Sequence, residues 1–186
     1  MIIILMGPPA SGKGTQAELI SDKYNIPNLS AGKIFRDEVE KESLLGLKVK
    51  SYIELGNLVP DELTVQMIGE KLGQLNLSQG IILDGFPRTI GQTKELERLL
   101  DGKNLSVTFV FYLDVLHETL LQRLSERGRE DDQEKVIQNR LQLHEKQTKP
   151  LLDFYRYKKV LRTINGNQDV HEVFAEINQF LQGYLS

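Results

Sequence analysis

The sequence predicts an α/β fold: a five-stranded parallel sheet flanked by helices. Three observations carry that expectation. Short apolar runs rich in β-branched residues alternate with helix-period segments along the whole chain. The runs are continuous in hydrophobicity, which marks strands buried on both faces. Two of them, Ile2–Met6 and Gly80–Asp84, stop at the turn-forming sequences Gly7-Pro8-Pro9 and Gly85-Phe86-Pro87.

Each element has its own signal. Ile2 to Met6 reads as the first strand, and a helical pattern follows from Lys13 to Tyr24. Ile26-Pro27-Asn28-Leu29 suits a short second strand. The Ser30 hydroxyl can accept from a free helix N–H, so Ser30 is expected to cap a helix reaching about Glu42. A helix from about Leu45 to Leu55 stops at Gly56-Asn57. Pro60-Asp61 opens the next, to about Leu75, with the Asp61 carboxylate at its positive end. After the Gly80–Asp84 strand comes a helix from about Ile90 to Leu100, then a β-branched and aromatic strand from Val107 to Leu113. Helical patterns run from about Leu116 to Arg127 and from about Asp132 to Tyr157, with Pro150 expected to break or kink the second. Val160 to Ile164 is the last strand and Val170 to Tyr184 the closing helix. No repeat, low-complexity tract or linker interrupts the 186 residues, so one domain is expected. The charged stretch from Ser125 to Lys135 reads as a solvated loop and helix start.

Composition narrows the function classes. Hydrophobic residues at 40 % and charged residues at 26 % give the balance of a soluble globular domain. A net charge of -3 supplies no field that would grip nucleic acid or a membrane surface. With no cysteine, disulfides and thiolate metal sites are excluded, and no zinc is expected. The apolar start, Met1 to Met6, is too short for a signal-peptide core and lacks a basic leader. No stretch approaches the roughly 20 apolar residues of a membrane span. A cytosolic enzyme is the expectation.

The first strand-to-helix turn carries the sharpest chemistry. Gly7, Gly12 and Lys13 fit the phosphate-loop pattern G-x-x-x-x-G-K, placed between a strand and a helix as that pattern requires. Glycine lets the backbone curl so that successive N–H groups face an anion. The helix start adds positive potential, and Lys13 adds a mobile full charge. Residues Ala10, Ser11, Gly12, Lys13, Gly14 and Thr15 are therefore expected to hold the triphosphate. The strict pattern has Ser or Thr directly after the lysine; here Gly14 stands there, with Thr15 next. The plain alternative is a glycine-rich turn with a surface lysine.

Further motifs lie in order along the chain: Gly-Lys-Gly-Thr-Gln at 12 to 16, Leu29-Ser30-Ala31-Gly32 with Arg36, and Gly56-Asn57-Leu58-Val59-Pro60-Asp61. Leu83-Asp84-Gly85-Phe86-Pro87-Arg88-Thr89 with Gln92 follows, then Arg123, Arg127, Arg129 with Asp131-Asp132, Arg140, and Ile164-Asn165-Gly166-Asn167-Gln168. In this order they resemble the adenylate kinases and their nucleoside monophosphate kinase relatives, in a short-lid form. The resemblance implies a P-loop NTPase fold. It implies a small acceptor-binding insert at about 30 to 59, and a short lid at about 122 to 132. It implies transfer of the terminal phosphoryl group of ATP to AMP, giving two ADP, with Mg²⁺ accompanying ATP. By the same resemblance Lys13, Arg88, Arg129 and Arg140 are catalytic. Arg123, Arg127 and Gln168 serve the donor nucleotide. Ala31, Arg36, Asn57, Leu58, Val59, Gly85, Phe86, Pro87, Arg88, Gln92, Arg129 and Arg140 surround the acceptor. Asp84 holds Mg²⁺ through water. The partners implied are ATP and a nucleoside monophosphate, AMP preferred, on a monomeric enzyme.

Residue chemistry agrees with such a reaction. Phosphoryl transfer between nucleotides asks for positioning and charge neutralisation, and arginine's planar, permanently charged fork suits several phosphates brought together. The acceptor phosphate is already an oxyanion, so no general base is required. His117, His144 and His171 are expected on helix surfaces. Taken singly, each arginine is an ordinary surface ion-pair partner, Asp84 a turn cap, and Gln92 an exposed helix residue. Gln92's amide can also give and take a hydrogen bond at the N6 and N1 edge of adenine.

Three residues depart from the family's pattern. Ala10 stands where glycine is usual, and positive φ there would strain it. Ala31 replaces a threonine usual in adenylate kinases and matches the UMP/CMP kinase branch. Lys33 replaces an acid that helps hold hydrated Mg²⁺. Two alternatives follow: a UMP/CMP-type or broad-specificity kinase, and a nucleotide-binding regulatory protein with weak catalysis.

Overall fold

The computed structural model describes residues 1–127, the last by its backbone alone, and 133–185. Five strands form one sheet: β1 (Ile2–Met6), β2 (Asn28–Ser30), β3 (Ile81–Asp84), β4 (Phe109–Asp114) and β5 (Leu161–Asn165). They lie in the order β2-β3-β1-β4-β5 and every pairing is parallel. β1 is the central strand, with Leu5 beside Asp84 on one flank and Phe111 on the other. All five C-terminal ends share one edge, the edge at which open α/β sheets bind ligands.

The helices follow the sequence reading closely. They are α1 (Lys13–Tyr24), α2 (Ala31–Glu40), α3 (Leu44–Glu54), α4 (Asp61–Gln74) and α5 (Ile90–Asp101), then α6 (His117–Arg127), α7 (Glu134–Leu143), α8 (Leu151–Tyr157) and α9 (Val170–Leu185). Alternation along the strands divides the core in two. Ile2, Ile4, Met6, Ile81, Leu83, Val110 and Tyr112 pack with Ile68 and Leu72 of α4, Leu96 and Leu100 of α5, and Leu151 and Tyr155 of α8. Ile3, Leu5, Ile82, Phe109, Phe111, Leu113 and Ile164 face Ala17 and Ile20 of α1 and Val173, Ile177 and Leu181 of α9. Each such side chain taken from water contributes about 1.5–3 kcal/mol, which makes the sheet a rigid base for its loops.

Three expectations change. The helix predicted from Asp132 to Tyr157 is divided before Pro150, by a π-turn at His144–Thr148. Lys149 N–H donates to His144 C=O at 2.8 Å, five residues back. Proline lacks the donor and its ring opposes the carbonyl four residues earlier, so the turn ahead of it widens. Ser30 occupies the N-cap of α2, but its hydroxyl donates to Asp84 Oδ2 at 2.9 Å and caps no N–H. The fourth strand starts at Phe109 rather than Val107: Thr108 gives both its N–H and its hydroxyl oxygen to Ile2.

The pair α2 and α3 turns back on itself through Ser43, whose hydroxyl accepts from Gly46 N–H at 2.9 Å and donates to Glu38 Oε2 at 2.7 Å. The crossing is close: a β-carbon on Gly46 would stand 1.9 Å from the Glu38 carbonyl oxygen. Gly46→Ala must therefore push α3 off α2, and the expected cost is about 1–3 kcal/mol, the scale of overpacking. Thermal melting measures it; an unchanged midpoint would contradict the crossing.

Candidate active site

The loop between β1 and α1 is curled as an anion cradle requires. Gly7 has φ +147 and Gly12 φ +94, values that side chains resist. Ala10 adopts φ +63, so the strain anticipated for alanine at this place is present, at about 1–2 kcal/mol. The curl brings carbonyl oxygens to Lys13, whose Nζ donates to Gly7 O at 2.8 Å and to Pro8 O at 2.7 Å, and reaches Ser11 Oγ at 3.2 Å.

A cleft of about 1010 Å³ opens over this loop along the C-terminal edge of the sheet. Ala10, Ser11, Gly12, Lys13, Gly14 and Thr15 line its floor. Ala31 and Arg36 come from α2, Asn57, Leu58 and Val59 from the segment between α3 and α4, and Asp84, Gly85, Pro87, Arg88 and Gln92 from the end of β3 and the start of α5. Arg123, Arg140 and Gln168 complete it. Residues up to 158 apart in sequence, Ala10 and Gln168, thus meet at one edge because parallel strands bring the loops after their C-terminal ends there.

Electrostatics decides what the cleft can hold. Lys13, Lys33, Arg36, Arg88, Arg123 and Arg140 face it, against only Glu18 and Asp84 among the described residues. Such an excess of cation in one cavity favours a polyanion. Several cations rest on backbone oxygens: Arg88 Nε donates to Gly85 O at 2.8 Å, Arg123 Nη2 to Gly166 O at 3.0 Å, and Arg140 Nη2 reaches Ile53 O at 3.4 Å. Burial lowers the Arg88 pKa; the Asp84 carboxylate opposes the shift, and Arg140 and Arg36 add to it. Guanidinium remains charged in proteins, so Arg88 presents a desolvated full charge.

Asp84 faces the glycine-rich loop. It ends β3 half-buried, bonded to Ser30 Oγ, with Oδ2 3.8 Å from where a Gly14 β-carbon would stand. It therefore looks across to the start of α1 and the phosphate cradle. Among the described residues no cluster of three or more His, Cys, Asp or Glu exists. That donor set fits an ion carried mainly by phosphates and water.

Gln92 lines the cleft but is neither exposed nor free. It is 2 % exposed, its Oε1 accepts from Arg88 N–H at 2.7 Å, and its Nε2 donates to Asp61 Oδ1 at 2.8 Å. Thr89, the N-cap of α5, accepts from Gln92 N–H and donates to Asp61 Oδ2 at 2.7 Å.

Two readings are corrected here. Phe86, expected at the acceptor, is fully buried in the core with Leu83 and Leu96 and does not line the cleft. An aromatic ring in the turn after β3 gains more from the core than from a polar edge. His144, expected on a helix surface, is 6 % exposed and lines the cleft. Burial, with the cations Lys13, Arg88 and Lys149, pushes its pKa down to about 3. The Tyr112 hydroxyl lies 3.4 Å from His144 Nε2, and burial raises the Tyr112 pKa to about 12. Helical spacing carried the missed signal: Arg140, His144 and Thr148 succeed one another every four residues, on one face. Arg129 and the Arg127 side chain lie outside the described residues.

Comparison with known proteins agrees with this geometry. The family model described as "Adenylate kinase" matches residues 5–160. The chain is 39 % identical to an adenylate kinase of Geobacillus sp. (strain WCH70), covering 98 % of this chain and 99 % of that protein. It is 37 % identical to one of Bacillus subtilis, covering 98 % and 99 %. Against an adenylate kinase of Mycobacteroides abscessus identity is 43 %, covering 97 % and 99 %. The Geobacillus alignment spans 214 positions, more than this chain's 186 residues, whereas the Mycobacteroides alignment spans 181. The former relative thus has residues without counterpart here. A phosphate cradle at the centre of a parallel sheet, a cationic cleft above it, and relatives matched over nearly their whole length place this chain in the adenylate kinase family, among the phosphotransferases acting on nucleoside monophosphates.

Proposed function

We propose that this chain catalyses reversible transfer of the terminal phosphoryl group of ATP to AMP, giving two ADP, in the cleft described above. The observation that carries the reading is the convergence of Lys13 and the arginines on one cavity over the phosphate loop. The attacking group is a phosphate oxygen already charged, so the protein's part is alignment and neutralisation. The donor phosphates lie in the 10–15 loop, where Lys13 leaves its carbonyl partners for the triphosphate. Arg123, Arg127 and Gln168 hold the donor nucleotide. Arg36 and Arg88 grip the acceptor phosphate, and Arg129 and Arg140 span the two as charge moves between them. The segment of about 30 to 59 is the acceptor-binding insert, with Ala31, Asn57, Leu58, Val59, Gly85, Pro87 and Arg88 around the nucleotide. The segment of about 122 to 132 is the short lid.

Mg²⁺, when bound with ATP, neutralises phosphate charge; Asp84 would hold its hydration shell, with no zinc required. Lys33 is exposed on the cleft's lining. An ammonium only donates, so it gives the metal's waters no acceptor and leaves Asp84 as the main acidic anchor. No described helix is long and apolar enough to cross a membrane. A monomeric cytoplasmic enzyme without nucleic-acid partners is the reading that fits composition.

Lys13→Met is expected to leave the fold intact and to lower kcat by at least roughly 10²-fold, the scale of losing one transition-state donor. Near-normal turnover by the folded variant would exclude the phosphate-loop mechanism and favour a regulatory nucleotide binder.

A coupled assay with ATP and each of AMP, CMP, UMP and GMP tests the acceptor. AMP is expected to be preferred, with measurable CMP or UMP turnover because Ala31 lacks a hydroxyl with which to discriminate. Turnover of CMP or UMP above that of AMP would assign the chain to the pyrimidine branch.

His144 serves a pH test. Its folded pKa of about 3 lies below the ~6.5 of an unfolded histidine. The unfolded chain takes up this proton first as pH falls. The contribution to stability is therefore complete above about pH 6.5 and is lost progressively toward pH 3. In His144→Gln the melting temperature should fall less steeply between pH 6.5 and 4.5, and kcat should keep its wild-type pH profile above 7. A changed profile above 7 would make His144 a proton carrier in the reaction.

A further inference from the structure

We propose that Asp61, which does not line the cleft, is the positioning residue that locks the Gln92 carboxamide in one orientation and thereby sets discrimination between 6-amino and 6-oxo acceptor bases. The proposal rests on the reading that Gln92 meets the acceptor base.

The lock follows from donor and acceptor chemistry. An amide can be turned end for end with little change of shape, so its orientation is set by its partners. At one end stands Arg88 N–H, which only donates, 2.7 Å from Oε1. At the other stands the Asp61 carboxylate, which only accepts, 2.8 Å from Nε2. Turning the amide over would face N–H against N–H and oxygen against carboxylate, with both clashes buried at a side chain 2 % exposed. The carboxylate is itself fixed. Its second oxygen takes the Thr89 hydroxyl at 2.7 Å, and it lies so close over Gly91 that a β-carbon there would stand 2.5 Å from Oδ2.

These bonds use one hydrogen and one lone pair of the carboxamide, leaving one of each. In a locked amide that remaining donor and acceptor have a fixed order. A 6-aminopurine offers N6–H as donor and N1 as acceptor; a 6-oxopurine offers O6 as acceptor and N1–H as donor. The two edges have the same shape and opposite order, so an amide held one way round serves one of them. Without Asp61 the carboxamide hangs from Arg88 N–H alone and can swing to serve either.

AMP and IMP differ at this edge and are the probes. Asp61→Leu, of similar size but without an acceptor, is expected to lower the AMP-over-IMP ratio of kcat/KM by about tenfold, the scale of one hydrogen bond to a buried partner. The KM for ATP should not change. Asp61→Asn should keep the ratio: its Oδ1 can accept from Gln92 while its amide donates to Thr89, whose hydroxyl turns to accept. Asp61→Ala serves as a second disrupting variant should Asp61→Leu fail to fold. In both disrupting variants the separation between the two Gln92 side-chain amide proton resonances should narrow as the group begins to rotate. A merely structural loss would raise KM for AMP and IMP alike and leave the ratio untouched, and that outcome overturns the proposal. The control is Gln92→Ala. If it leaves the AMP-over-IMP ratio unchanged, Gln92 does not read the base and the proposal falls with that reading. If it collapses the ratio while Asp61→Leu and Asp61→Ala do not, only the role of Asp61 is lost. In the Gln92→Ala background Asp61→Leu should change the ratio no further.

Discussion

Gathering positive charge into one cavity is the constraint on which the rest of the site depends. Like charges within a cleft repel, and partial burial raises the cost by weakening solvent screening. Part of the answer lies in backbone oxygens. The loops at the sheet edge present Gly7 O and Pro8 O to Lys13, Gly85 O to Arg88 and Gly166 O to Arg123. A neutral carbonyl satisfies a donor without cancelling its charge. It is also a weaker partner than a carboxylate or a phosphate. Cations held this way keep their field in the cleft.

That arrangement explains why the acids are few and where they stand. Asp84 is tied to Ser30 and faces the start of α1, so its charge is directed at the phosphate cradle. Asp61 is turned away from the cavity and spent on Thr89 and Gln92. His144 adds no charge at neutral pH, because burial and the surrounding cations hold its ring neutral. The cleft thus stays cationic while the polar groups in its walls remain bonded.

The end of α3 is anchored to α7 across a long sequence gap. Asn139 Nδ2 donates to Leu55 O and to Asn57 Oδ1, each at 2.8 Å, and Arg140 reaches Ile53 O. Gly56 packs against Val136 and Arg140 there, so the loop that closes α3 and the helix that carries Arg140 share one interface. The π-turn after α7 then sets His144 and Thr148 under Arg88, whose carbonyl accepts from Thr148 Oγ1 at 3.2 Å. Segments that are unrelated by local sequence are thereby held together around Arg140 and Arg88.

The sequence by itself determined the elements and their chemistry. Strand hydrophobicity, the glycines and prolines at strand ends, and the helical periods placed the strands and most helices to within a few residues, because those signals are local; the exception is the segment from 132 to 157, which the structure divides at a π-turn. The order of the motifs named the family for the same reason: each is a short run of sequence. Tertiary structure decided what depends on neighbours distant in sequence. Ser30 left its helix for Asp84, Phe86 left the cleft for the core, and His144 left the surface for the cleft wall. In each case a local preference of about 1 kcal/mol was outweighed by burial or by a partner from another strand. The locked amide of Gln92 belongs to the same class in part: Arg88 N–H is a local partner four residues back, but Asp61 reaches the other end from 31 residues away.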